Sequence, residues 1–154
     1  MPREKDAMTA RFDFSLNRPE DDQQNLLAAL EEFARARALP DALRYRLGLI
    51  VDEIVSNSLT HGKSRGQDCE VSVVVTDGEE DMIVEIVDTC TPFDPTAHTL
   101  ERCAKHGDVR IGGMGLCLVR NLAARMDYTR SGGRNRTRLT ISKNMQEKAC
   151  NSTK

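Results

Sequence analysis

The chain has 154 residues, with 22 Lys and Arg against 24 Asp and Glu; it is of single-domain size, and its net charge of −2 gives no electrostatic pull toward nucleic acid or a membrane surface. Its uncharged stretches fall well short of the ~18 residues of a membrane span, and the opening residues lead into no apolar signal core. Aromatic residues make up 4% of the chain, with no Trp, which leaves few rings for stacking single-stranded bases.

These features read as a cytoplasmic protein with an aliphatic core. The five cysteines are Cys69, Cys90, Cys103, Cys117 and Cys150. They form no C-x-x-C pair and are odd in number, so they are expected as reduced thiols rather than as a disulfide framework. A mixed zinc site from Cys69, Cys90, Cys103 and His106 is the alternative, and it lacks ligand-pair spacing.

In chain order, Arg11 to Leu16 alternates apolar and polar residues as a half-buried strand, and Asn17-Arg-Pro-Glu20 turns into a helix. Leu26, Leu27, Leu30 and Phe33 carry that helix to about residue 37, and Leu39-Pro40-Asp41 separates it from a second. The second helix places Leu47, Ile50, Val51, Ile54 and Ser58 on one stripe and stops near His61-Gly62. Cys69 to Thr76 and Met82 to Asp88 are β-branched runs joined by an acidic hairpin connection, Asp77 to Asp81. Residues 89 to 112 have no period and hold Pro92, Pro95, Gly107 and Gly112. A loop of that length, with room for one short helical turn, is usually functional.

A third helix is expected from about Gly113 to Met126, then a hairpin through Ser131-Gly-Gly-Arg-Asn135 to Ile141, then a loose tail. The expected fold is α+β, a two-layer sandwich with helices on one face of a mostly antiparallel sheet. The other face is left to meet a partner.

Three features carry chemistry. Glu53, Asn57 and His61 recur every fourth residue and so line one ridge of the second helix. A carboxylate there can act as a general base, and an Asn amide oxygen suits Mg²⁺; spacing alone favours a solvated helix face with Asn and His capping its C-terminal turn. Asp88 ends an apolar strand, where it can accept a hydrogen bond from an exocyclic amine or simply start a turn. Gly112-Gly-Met-Gly115 before an amphipathic helix can admit phosphate oxygens to backbone N–H groups, or can be a plain hinge.

Taken together and in order, Glu53 to Gly62, Val87 to Pro95 and Gly112 to Arg120 resemble the N, G1 and G2 boxes of the GHKL ATPases. The branch they most resemble is that of the anti-sigma factor serine/threonine kinases. The similarity spans about residues 10 to 143, so a histidine kinase-like ATPase domain is expected over 10–144, with an N-terminal extension at 1–9 and a flexible tail at 145–154.

The resemblance implies ATP and Mg²⁺ as cofactors, Glu53 as catalytic carboxylate, Asn57 as metal ligand and Asp88 as the adenine-recognising residue. His61, Phe93, Gly113, Met114, Gly115, Leu116 and Thr137 would complete the nucleotide site, under a lid formed by residues 92 to 112. The implied partners are a STAS-domain protein as phosphoacceptor, a sigma factor or similar regulator as the sequestered protein, and a second copy through the sheet. Nucleic acid is not implied, because the arginines of the last hairpin fit a solvated edge.

One departure stands out. The G1 pattern D-x-G is Asp88-Thr89-Cys90 here. A Cβ at that position can crowd the adenine pocket, which leaves a catalytically inactive or nucleotide-free interaction module on the same fold as the alternative function.

Overall fold

The computed structural model describes residues 9–62, 69–97 and 114–144. Strands β1 (Ala10–Leu16), β2 (Val71–Asp77), β3 (Asp81–Asp88), β4 (Arg125–Ser131) and β5 (Arg134–Ser142) form one sheet in the order β1-β2-β3-β5-β4. Every pairing in it is antiparallel. Helices α1 (Pro19–Ala36), α2 (Asp41–Gly62) and α3 (Met114–Leu122) supply the second layer. The α+β sandwich expected from the sequence is the fold observed.

Alternation decides which side of each strand is covered. In β3, Met82, Val84, Ile86 and Asp88 are buried while the residues between them are partly exposed. Asn135, Thr137, Leu139 and Ile141 do the same in β5. Their apolar members meet Leu47, Ile50, Val51, Ile54 and Val55 of α2 and Leu116 and Val119 of α3 in a single core, each such side chain contributing about 1.5–3 kcal/mol by leaving water. On the opposite face Glu85 pairs with Arg138 at 3.0 Å and Arg136 at 3.6 Å, so part of that surface is a charge network.

Local chemistry sets the boundaries. Asp22 accepts the backbone N–H groups of Asn17 and Arg18 at 3.0 and 2.8 Å, satisfying donors at the mouth of α1 where a negative charge is also favoured by the helix dipole. That helix ends with Leu39 N–H on Ala34 O and Ala38 N–H on Arg35 O, with Ala38 at φ 52°. This is a Schellman closure that tolerates a β-carbon in the left-handed region and turns the buried Leu39 into the core. The last hairpin closes through Gly132 and Gly133, at φ 58° and 75°, the two successive positive φ angles that a type I′ turn requires.

The expected third helix is shorter than its apolar period suggests. It stops at Leu122, because the Ala124 N–H already bonds Thr140 O at 2.8 Å and Arg125 lies opposite Thr140 in the sheet. Met126 therefore belongs to β4, packed against the same core.

At the far end of the sheet, Asp77 is 3% exposed and is clamped by Arg37 Nε at 2.7 Å and Lys143 Nζ at 2.5 Å. Burial works to raise its carboxyl, and the hydrogen bonds and charges of Lys143 and Arg37 outweigh that, holding it below the ordinary carboxylate value. With a folded pKa lower than the unfolded ~3.9, its stabilisation is fully present above that value and is lost as pH falls through the folded one. Asp77→Asn is expected to cost about 2–3 kcal/mol at pH 7, between an exposed pair and a fully buried one. It should also flatten the acid limb of stability below about pH 4; thermal melts across pH check both effects.

Candidate functional site

The ridge read from the sequence exists. Glu53, Asn57 and His61 lie on consecutive turns of the continuous helix α2, spanning about 12 Å along its axis at the usual rise. Beside them, Gln23 of α1 donates to Asp52 Oδ1 at 2.8 Å and Ser56 Oγ at 2.7 Å. This fixes α2 against α1 on an adjoining face and leaves the Glu53 ridge clear of that contact. The cleft between these two helices, about 330 Å³ and lined by Leu27, Tyr45 and Asp52, does not include the ridge.

Each end of the ridge meets another predicted segment. At one end the Glu53 carboxyl lies against the backbone of Gly115, at the start of α3: a β-carbon on Gly115 would fall 2.6 Å from Glu53 Cδ and closer still to Oε2. Glycine at that position therefore permits the close approach, with the carboxylate packed beside the first turn of α3. At the other end the His61 ring stacks on Phe93, centroids 4.1 Å apart and planes 11° from parallel. Asn57 lies between them, partly buried, and its side chain has no partner among the described residues.

The segment after β3 is held by its own hydrogen bonds. Asp94 Oδ1 accepts from Thr96 N and Thr96 Oγ1 at 2.8 and 2.6 Å, shaping the 3-10 turn Pro95–Ala97. Arg120 of α3 donates to the Thr96 carbonyl, so the helix that presents Gly115 also anchors this turn. The expected short helical turn is thus present, while the lid beyond residue 97 and Gly113 lie outside the described residues. Of Met114 only the backbone is described, and Leu116 is buried in the core.

Asp88 is 4% exposed at the end of β3. Its Oδ1 accepts the Cys90 N–H at 3.0 Å and Asn135 Nδ2 at 2.7 Å, while Oδ2 has no hydrogen bond among the described residues. Thr137 is buried on the same face of β5, opposite Ile86. The β5 residue that reaches Asp88 is Asn135, its direct register partner, which the sequence pattern alone places inside a turn. The signal available was a polar residue in phase with the buried positions 137, 139 and 141.

The cysteine expectation is corrected here. Cys69 and Cys90 form a disulfide, their Cα atoms 4.9 Å apart, and Cys117 is disulfide-bonded as well. The physical cause is strand pairing carried past the ends of β2 and β3: Thr89 N–H bonds Glu70 O at 3.1 Å and Glu70 N–H bonds Thr89 Oγ1 at 2.9 Å. This brings the two thiols within bridging distance. The bridge consumes two ligands of the mixed zinc site considered from the sequence, and no cluster of three metal-binding side chains occurs among the described residues. It also gives the side chain at position 90 a role of its own. No helix among the described residues is long and apolar enough to cross a membrane.

A magnesium ion fits such a site through few protein atoms. Mg²⁺ takes most of its shell from water and substrate phosphates, with one or two protein oxygens, and Asn57 offers an uncommitted amide oxygen one turn from Glu53. The free Oδ2 of Asp88 similarly suits an exocyclic amine.

The model of the histidine kinase-like ATPase domain family matches residues 17–141, and the chain belongs to that family. Among curated proteins it resembles the serine/threonine-protein kinase BtrW of Bordetella bronchiseptica, 28% identical over 112 residues, covering 72% of this chain and 79% of the relative. Among solved structures it is similar to the histidine kinase domain of a blue-light activated histidine kinase from Erythrobacter litoralis EL346. That match has a TM-score of 0.53 at 18% identity, covering 84% of this chain and 63% of the other. It is also similar to the catalytic domain of the histidine kinase ThkA, with a TM-score of 0.50 at 12% identity, covering 86% of this chain and 96% of the other. At these identities the structural likenesses speak for the fold.

Proposed function

We propose that this domain binds ATP with Mg²⁺ and transfers the γ-phosphoryl group to a serine or threonine hydroxyl of a partner protein. The observation that carries the reading is the approach of Glu53 to Gly115. It sets a candidate base against the first turn of a helix whose N-terminal N–H groups and dipole favour phosphate, on the same ridge as Asn57.

Asp88 Oδ2 would accept a hydrogen bond from the adenine amine and so fix the base. Phe93, stacked on His61, would wall the site. Glu53 would orient the incoming hydroxyl and take its proton as the oxygen attacks phosphorus and the bond to the ADP leaving oxygen breaks. Bound magnesium, held through Asn57, would supply charge neutralisation on the phosphates.

The name of the Bordetella relative supports a hydroxyl acceptor. The anti-sigma kinase resemblance points to a STAS-domain protein as that acceptor and to a sigma factor or similar regulator as a protein held by this domain, in a cytoplasmic setting. The bridged Cys90, where the resemblance has glycine, favours a second reading: an interaction module that holds no nucleotide.

Calorimetric titration separates the two. ADP and ATP should bind, Mg²⁺ should tighten ATP by tenfold or more, and Asn57→Ala should remove that Mg²⁺ effect while retaining most ADP affinity. Absence of any nucleotide binding by the native protein would select the second reading.

A further inference from the structure

Asn135 occupies the centre of a hydrogen-bond cluster that links both strands of the last hairpin to the end of β3. Its Oδ1 accepts from Tyr128 OH at 2.5 Å and from Arg130 Nη1 at 2.8 Å. Because the arginine can only donate, that contact fixes which end of the amide is oxygen. The Nδ2 group is thereby turned toward Asp88 Oδ1 at 2.7 Å and the carbonyls of Cys90 and Thr91, both at 3.2 Å. Asn135 is 2% exposed, and a buried amide with every polar atom engaged is held to one orientation.

The consequence falls on Asp88. Its Oδ1 is occupied by two donors, Asn135 Nδ2 and the Cys90 N–H, so the carboxylate cannot rotate freely and only Oδ2 is left without a donor among the described residues. We infer that Asn135, itself held by Tyr128 and Arg130, is a positioning residue for base selection: it aims one lone-pair acceptor of Asp88 at the six-position of a purine. An amine there donates to Oδ2, whereas a six-keto oxygen meets a carboxylate oxygen with no proton between them. On the reading of Asp88 as the acceptor of an adenine amine, discrimination between an amine and a keto group at that position resides in the Asn135 cluster as much as in Asp88. This rests on the nucleotide reading above and adds to it the residues that set its specificity.

The test compares ADP, GDP and pyrophosphate binding by calorimetry in the native protein, Asn135→Ala and Tyr128→Phe. The native protein should prefer ADP over GDP by tenfold or more. In Asn135→Ala the ADP affinity should fall at least tenfold and the ADP/GDP ratio collapse toward one, with pyrophosphate binding unchanged, a pattern that general loosening of the fold would not give. Tyr128→Phe removes one donor to Asn135 and keeps the other, so its ratio should fall in the same direction by less. This milder change carries the test if Asn135→Ala does not fold. An unchanged ADP/GDP ratio in a folded variant overturns the role of Asn135 while leaving the nucleotide site standing. Failure of the native protein to bind either nucleotide overturns the underlying reading and this inference with it.

Discussion

Glu53→Gln is expected to lower phosphoryl transfer by about 10²–10⁴-fold, the range for loss of a positioned general base, while ADP affinity changes no more than a few-fold. Glu53 is partly exposed, beside and not within the buried stripe of Ile50, Ile54 and Val55, so the substitution leaves the core intact and keeps the shape of the side chain. What it removes is the capacity to take a proton. A fall in rate at constant nucleotide affinity marks an interaction made in the transition state rather than in the ground state. Transfer at the native rate would remove Glu53 from the catalytic role.

Gly115→Ala should separate activity from stability in opposite directions. A β-carbon there invades the space of the Glu53 carboxyl, whose flexible end can swing aside, so the protein should fold normally. Replacing glycine within α3 (Met114–Leu122) should even add up to about 1 kcal/mol from helix propensity. The carboxylate, however, is displaced by an ångström or more, and misplacement on that scale costs on the order of 10²-fold in rate. The expected result is an unchanged or raised melting temperature together with about a hundredfold loss of transfer. Native activity in this variant would mean that the approach of Glu53 to Gly115 has no catalytic purpose.

The residues brought together at the site differ in how visible they were in the sequence. Glu53, Asn57 and His61 were legible because a continuous helix fixes relative side-chain positions by spacing alone. Gly115 was legible as a glycine beside a helix start, although phosphate access was the reason expected and proximity to Glu53 is the contact observed. Asn135 was hidden, since its meaning comes from a partner in β3, and strand register is set by the whole sheet. The Cys69–Cys90 bridge was hidden for the same reason: residues 21 apart meet only through the pairing of β2 with β3. Met126 extended the apparent period of α3 because an apolar residue facing the core satisfies helix and strand patterns alike. The Ala124 N–H bond to Thr140 O decided between them.

The most direct measurement follows γ-labelled ATP in a mixture of the native protein, Mg²⁺ and a STAS-domain partner, with the labelled protein then identified and its phosphoryl bond tested for stability in acid. Label is expected on the partner in an acid-stable linkage to serine or threonine, and is expected to be lost with Glu53→Gln. Label confined to an acid-labile linkage on this chain, or release of free phosphate with no protein labelled, would contradict the proposed function.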